Sequence, residues 1–160
     1  MPNTEIAYPA GFMLADVARL MRVEIDRSIA DTGLEMSTGD IRALVNIARF
    51  FEGVRQCDIA HGMNVEPMTV SAYLDRLERS NLIVRRPDPR DRRARVVHVT
   101  EAASIVLDRV QPMLSQVYET AMLGIDRHAR SCTESSLEVA RSNLSRQRSM
   151  SADLSSSISA

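Results

Sequence analysis

Residues 83–99 constrain this chain more than any other stretch. Two strand-length, β-branched runs, Ile83 to Arg86 and Arg95 to Val99, flank Pro87-Asp88-Pro89-Arg90-Asp91-Arg92-Arg93. Proline fixes φ and lacks an N–H, so two prolines in seven residues exclude a helix there and favour a turn. The pattern predicts a β-hairpin whose tip is rich in arginine. Charge supports the same reading. Residues 66–100 carry eight Arg and five acids, a surplus of three positive charges, although the whole chain has a formal net charge of −1. A local basic cluster on a near-neutral chain suits a polyanionic partner.

The segments before the hairpin read as helices. Leu14, Val17, Met21, Ile25 and Ile29 recur at helical spacing, with Thr32-Gly33 as a stop. Leu20 and Val23 lie off that stripe, so the helix needs more than one apolar partner. Ser37 and Asp40 have the spacing of a helix cap. Ile41, Leu44, Val45, Ala48 and Phe51 then mark one face, and Gly53 closes the helix. Gln56 to Met63 is a short helix. Asn64 tolerates the left-handed turn after it, and Pro67 opens a second helix with Val70, Leu74 and Leu77 inward. Asn81 is the next stop. Two short helices and a tight turn make a helix-turn-helix, and the hairpin behind it makes a wing.

After the hairpin, Thr100 can cap a long helix reaching Ile125 and interrupted by Pro112, with Gly124 as a break. Another helix is expected from about Thr133 to Arg148. Residues 149–160, with six Ser and no aromatic, read as a disordered tail. The expected organisation is an N-terminal dimerisation helix (1–35), a winged helix-turn-helix (36–100), C-terminal dimerisation helices (101–148) and the tail (149–160). The fold class is mainly α with a small β-hairpin.

Residues 37–103 resemble the multiple antibiotic resistance regulator (MarR) family of bacterial transcription factors. The likeness rests on Asp58-Ile59-Ala60, Thr69-Val70-Ser71, Leu74-Asp75-Arg76-Leu77-Glu78, Leu82-Ile83 and Arg85-Arg86. It rests above all on Asp88-Pro89-Arg90-Asp91-Arg92-Arg93, closed by Val97-His98-Val99-Thr100-Glu101. The resemblance implies a homodimer that binds double-stranded DNA, repression being the family's common mode; the N-terminus does not read as a signal peptide, so the expected compartment is the cytoplasm. The resemblance also implies a small amphipathic, anionic effector held between the dimer helices and the DNA-binding lobe, with Met13, Met21, Arg42 and Tyr118 as candidates. Ala72 stands where many members carry Arg, and Asn81 where most carry Gly.

Within that frame the second short helix is the recognition helix. Thr69, Ser71 and Tyr73 are its outward candidates, and Arg76 either reaches phosphate or supports the helix. The resemblance gives Arg93 as the side chain inserted in the minor groove, with Asp91 holding it. Arg90 and Arg92 fall to phosphates.

Other functions find less support. No P-loop, GxSxG, HExxH or GxGxxG occurs, so an enzyme is not expected. His61, His98 and His128 lie on different elements without an i, i+4 His pair, so neither metal nor cofactor is expected. No apolar run is long enough to span a membrane. Two alternatives stay open. One is a winged-helix module that binds protein, and the other is a thiol sensor using Cys57, which begins a short helix.

Overall fold

The structure is a computed structural model that describes residues 9–89, 91 and 94–158. It divides into two compact units at Tyr118/Glu119. The described elements are α1 (Pro9–Ala30), α2 (Thr38–Ala48), β1 (Val54–Arg55), α3 (Gln56–Met63), α4 (Pro67–Arg79), β2 (Ile83–Pro87), β3 (Arg95–Val99), α5 (Ala102–Ala121) and α6 (Arg127–Ile158). The fold is mainly helical with a small antiparallel sheet of strand order β1-β3-β2.

The hairpin forms as expected, with Ile83 opposite Val99 and Pro87 opposite Arg95. It carries a third strand that the sequence conceals. Val54 and Arg55 pair with Val97 and Val96, and two residues are too short a run to show alternation.

The core of the first unit is built by α2, α3, α4 and the sheet around Leu44, Ile47, Ile59, Leu74 and Leu77, all essentially inaccessible to solvent. A satellite cluster of Ile29, Ile41 and Val110 docks the end of α1 and the middle of α5 on α2. Before Ile25 the helix α1 has little cover. Phe12, Met13, Leu14, Val17, Leu20 and Val23 are all exposed, so the surplus apolar surface expected of this helix is present.

Local capping chemistry explains most boundaries. The Ser37 hydroxyl accepts the Asp40 N–H at 3.1 Å and donates to the Asp40 carboxylate at 2.7 Å. This reciprocal cap starts α2. Asn64 (φ 53°) and Asn81 (φ 56°) adopt the left-handed conformation expected of them. An L-residue without a short polar side chain pays about 1–2 kcal/mol there. Asn64→Ala should therefore lower stability by about 1 kcal/mol while Asn64→Gly stays close to neutral, read by thermal denaturation.

Several boundaries differ from expectation. The helix α2 stops at Ala48, and Phe51 is fully exposed, not inward, because the chain turns at Arg49 and Gly53 (φ 85°) to reach β1. Thr100 does not cap α5. Its hydroxyl donates to the Asn81 carbonyl at 2.6 Å and ties the end of β3 to the turn after α4. The helix α5 ends at Ala121, with Gly124 at φ 80°.

In the second unit, α6 starts at Arg127, before the expected Thr133, because the Asp126 carboxylate accepts the Ala129 N–H at 3.0 Å. Thr133, Ser135 and Ser136 instead donate their hydroxyls to carbonyls four residues back, a bond that lets such residues sit within a helix. The α6 backbone continues to Ile158, so residues 149–158 are helical where composition suggested disorder. The expectation for Ser159 and Ala160 lies outside the described residues.

Candidate nucleic-acid interface

Helix α4 is held from behind by one buried carboxylate. Asp40, 5% exposed, accepts Arg76 Nε at 3.0 Å and Nη2 at 2.8 Å. These hydrogen bonds raise the Arg76 guanidinium above its ordinary pKa, so it stays charged. Arg76 also lies over the Tyr73 ring, 5.3 Å from its centroid. That ring covers Gly39, where a Cβ would come within 2.6 Å of it. Only a glycine in the first turn of α2 admits the tyrosine this closely.

Arg76 thus bridges α2 and α4 through Asp40. Tyr73, an outward candidate in the sequence, is instead partly buried, its ring packed against Gly39 and the core. Thr69 is exposed, and Ser71 is half-buried.

The outward row of α4 is Met68, Ala72, Asp75 and Arg79, at the 4-3-4 spacing that puts residues on one helix face. Its first half is apolar, with Met68 84% exposed. Its second half is tied down. Asp75 accepts Arg85 Nη2 at 2.6 Å, and Arg79 Nε donates to the Asp75 carbonyl at 3.1 Å. Arg85 also reaches Glu78 at 3.5 Å. Arg85 thus belongs to a clamp between β2 and α4 and is not a free member of the basic cluster. Arg86 and Arg95 are exposed on the hairpin.

The base of the wing has its own anchor. Asp88, 6% exposed, accepts Arg55 Nε at 2.7 Å and Nη2 at 2.6 Å. The hydrogen bonds to Asp88 raise the Arg55 guanidinium above its ordinary value. The Asp88 N–H donates to the Ala94 carbonyl and the Ala94 N–H to the Asp91 carbonyl, which closes the turn. Asp91 lies 3.9 Å from Arg55. Arg90, Arg92 and Arg93 lie outside the described residues, and with them the expected hold of Asp91 on Arg93. Arg55 escaped the sequence reading, because its partner is 33 residues away.

A second candidate site lies behind the winged-helix lobe. A cleft of about 410 Å³ is lined by Met21, Ile25, Val45, Met63 and Leu114, with Arg42 at its wall. Arg42 Nη1 is 3.7 Å from Asp26 Oδ2 across α1 and α2. Met21 and Arg42 line the same cleft. Met13 and Tyr118 are not among its lining residues.

Three further points bear on function. Residues 37–94 match the model of the MarR family. This chain carries a MarR-family domain. The match begins at the Ser37 cap and runs through the wing turn. Across 85% of this chain and 98% of the other, the structure is similar to transcriptional regulator PA3341, at 27% identity and a TM-score of 0.70. It is also similar to CouR from Rhodococcus jostii RHA1 bound to p-coumaroyl-CoA, at 25% identity and a TM-score of 0.63, over 81% of this chain and 90% of CouR. A MarR-family regulator from Silicibacter pomeroyi shares the fold at 24% identity and a TM-score of 0.70, over 84% and 89% of the two chains. The matched residues 37–94 include both the propped helix α4 and Asp88 at the base of the wing.

The remaining chemistry is sparse. Among the described residues no three His, Cys, Asp or Glu side chains cluster as metal ligands. His128 Nε2 and Cys132 Sγ lie 3.6 Å apart on α6, one turn from each other. Reading the histidines alone missed this contact, although the i, i+4 spacing was there to find. Cys57 is exposed in the first turn of α3. Among the described residues no helix is long and apolar enough to cross a membrane.

Proposed function

We propose that the protein is a homodimeric transcriptional repressor that binds a pseudo-palindromic site in duplex DNA and is released by a small amphipathic anion. One observation carries the reading. The exposed row of α4 is braced from behind by Asp40–Arg76 and from the side by Arg85–Asp75, which leaves its first two turns free to enter a major groove. Arg93 enters the minor groove with Asp91 orienting it, and Arg90 and Arg92 meet phosphates. Thr69 and Ser71 contact bases at the edge of the helix.

Dimerisation follows from the exposed apolar residues of α1 and, in the second unit, Leu137, Val139 and Leu144 on α6. Apolar surface on this scale marks an interface. The effector reading rests on the cleft at Met21 and Arg42, where a carboxylate would meet a guanidinium against an apolar wall. CouR, a protein of similar fold, is bound to p-coumaroyl-CoA, whose aromatic acyl group is carried on an anionic coenzyme.

The test is a titration of the full chain against duplexes recovered from a randomised library, at several salt concentrations. Footprinting and light scattering accompany it. A symmetric footprint, affinity that falls steeply with salt and a particle of about twice the chain mass are expected. A monomer, or binding that ignores sequence, would overturn the proposal.

A further inference from the structure

Which base features α4 can recognise follows from what its exposed row contains. Strong discrimination in a major groove comes from a few pairings. Arg or Lys forms two bonds to guanine, Asn or Gln forms two to adenine, and an apolar group packs on the thymine methyl. From Pro67 to Tyr73 the helix is Pro-Met-Thr-Val-Ser-Ala-Tyr, with no cation and no amide. Three donors near this end of the helix are engaged elsewhere. Arg76 is held by Asp40, Arg85 by Asp75, and Gln56 Nε2 donates to the Pro67 carbonyl at 3.1 Å. Glu66 falls on the row of buried Val70, four residues on, and not on the outward row. The hydroxyls of Thr69 and Ser71 serve either as donor or acceptor and so select weakly. What remains at the leading end of the outward row is a flexible thioether side chain, 84% exposed, and one turn on the methyl of exposed Ala72.

Resting on the duplex-DNA reading above, we infer that Met68, with Ala72 beside it, selects the protein's site by packing on thymine methyl groups in the major groove. An unbranched thioether adapts to an apolar surface of irregular shape. An exposed methionine at this place gains burial only if an apolar partner meets it. Each half-site should then hold thymine where Met68 arrives. The wing is left to supply affinity through charge, and the helix to supply choice through apolar contact.

Deoxyuridine isolates the interaction, since it removes the methyl and leaves base pairing unchanged. Duplexes selected from a randomised library by the full chain would be resynthesised with deoxyuridine replacing each half-site thymine in turn. Replacement at the contacted position should weaken binding by about fourfold, the equivalent of one buried methyl group. Met68→Ala, at an exposed position that does not affect folding, should bind the thymine duplex several-fold more weakly and no longer distinguish it from the deoxyuridine duplex. This double comparison removes any effect of deoxyuridine on DNA shape alone. Sequence-selective binding that ignores every such replacement, or a Met68→Ala variant that keeps the full thymine preference, would overturn the inference and leave the DNA-binding reading intact. Recovery of no selected duplex at all would overturn both.

Discussion

Replacing Arg76 with alanine is expected to lower folding stability by about 2–3 kcal/mol, and by more than replacing its partner Asp40. The asymmetry comes from burial. The Asp40 side chain is 8% exposed and that of Arg76 42%. Asp40→Ala frees a guanidinium that can turn toward water, so the loss should be about 1–2 kcal/mol, discounted for that exposure. Arg76→Ala strands a buried carboxylate with the Ser37 hydroxyl still donating to it, and takes away the group lying over Tyr73. A buried charge that has lost its partner is costly, and here it sits at the junction of α2 and α4. Urea unfolding at one fixed protein concentration reads both variants as shifts in midpoint. Equal losses, or a greater loss in Asp40→Ala, would show that the ion pair acts as a surface pair. Both variants should also weaken duplex binding, because the pair sets the seat of α4 on α2.

The features legible in the sequence are those carried by neighbours. Ser37 and Asp40 are three residues apart, Asn64 and Asn81 act on their own φ, and the prolines flanking Asp88 exclude a helix by covalent geometry. The helix faces around Leu44 and Leu74 follow from periodicity. What stayed hidden depends on pairs distant in sequence. Asp40 and Arg76 are 36 residues apart, and Arg55 and Asp88 are 33 apart. A single chain offers no signal that one arginine among twenty belongs to one carboxylate among twenty-one acids. The charge count was misleading for the same reason. Arg85 adds to a basic cluster on paper, yet it neutralises Asp75 and approaches Glu78 in the fold. Tyr73 was misplaced because an aromatic at the edge of an apolar stripe can turn either way. The bare backbone of Gly39 decides the matter, since it leaves room for the ring.

Gly53→Ala should be the most damaging single methyl addition in the winged-helix lobe, at about 3 kcal/mol. Two separate costs add at this position. The backbone stands at φ 85°, where an L side chain loses about 1–2 kcal/mol. A Cβ there would also lie 2.5 Å from His98 Cε1, and forcing an extra group into a filled space costs about 1–3 kcal/mol. His98 cannot retreat freely, because its backbone is paired with Val84 in the hairpin. Its neighbour Val97 is paired with Val54, the residue that follows Gly53. The clash therefore pushes β1 from β3, and with it the Arg55 that anchors Asp88 at the base of the wing. A second substitution separates the two costs. In His98→Ala the imidazole is gone, so adding Gly53→Ala should cost only the backbone share, about 1–2 kcal/mol. Thermal or urea unfolding of the two single variants and the double variant measures the difference. Strict additivity of the two substitutions would show that the ring moves aside without penalty. The whole loss would then belong to the left-handed backbone at Gly53.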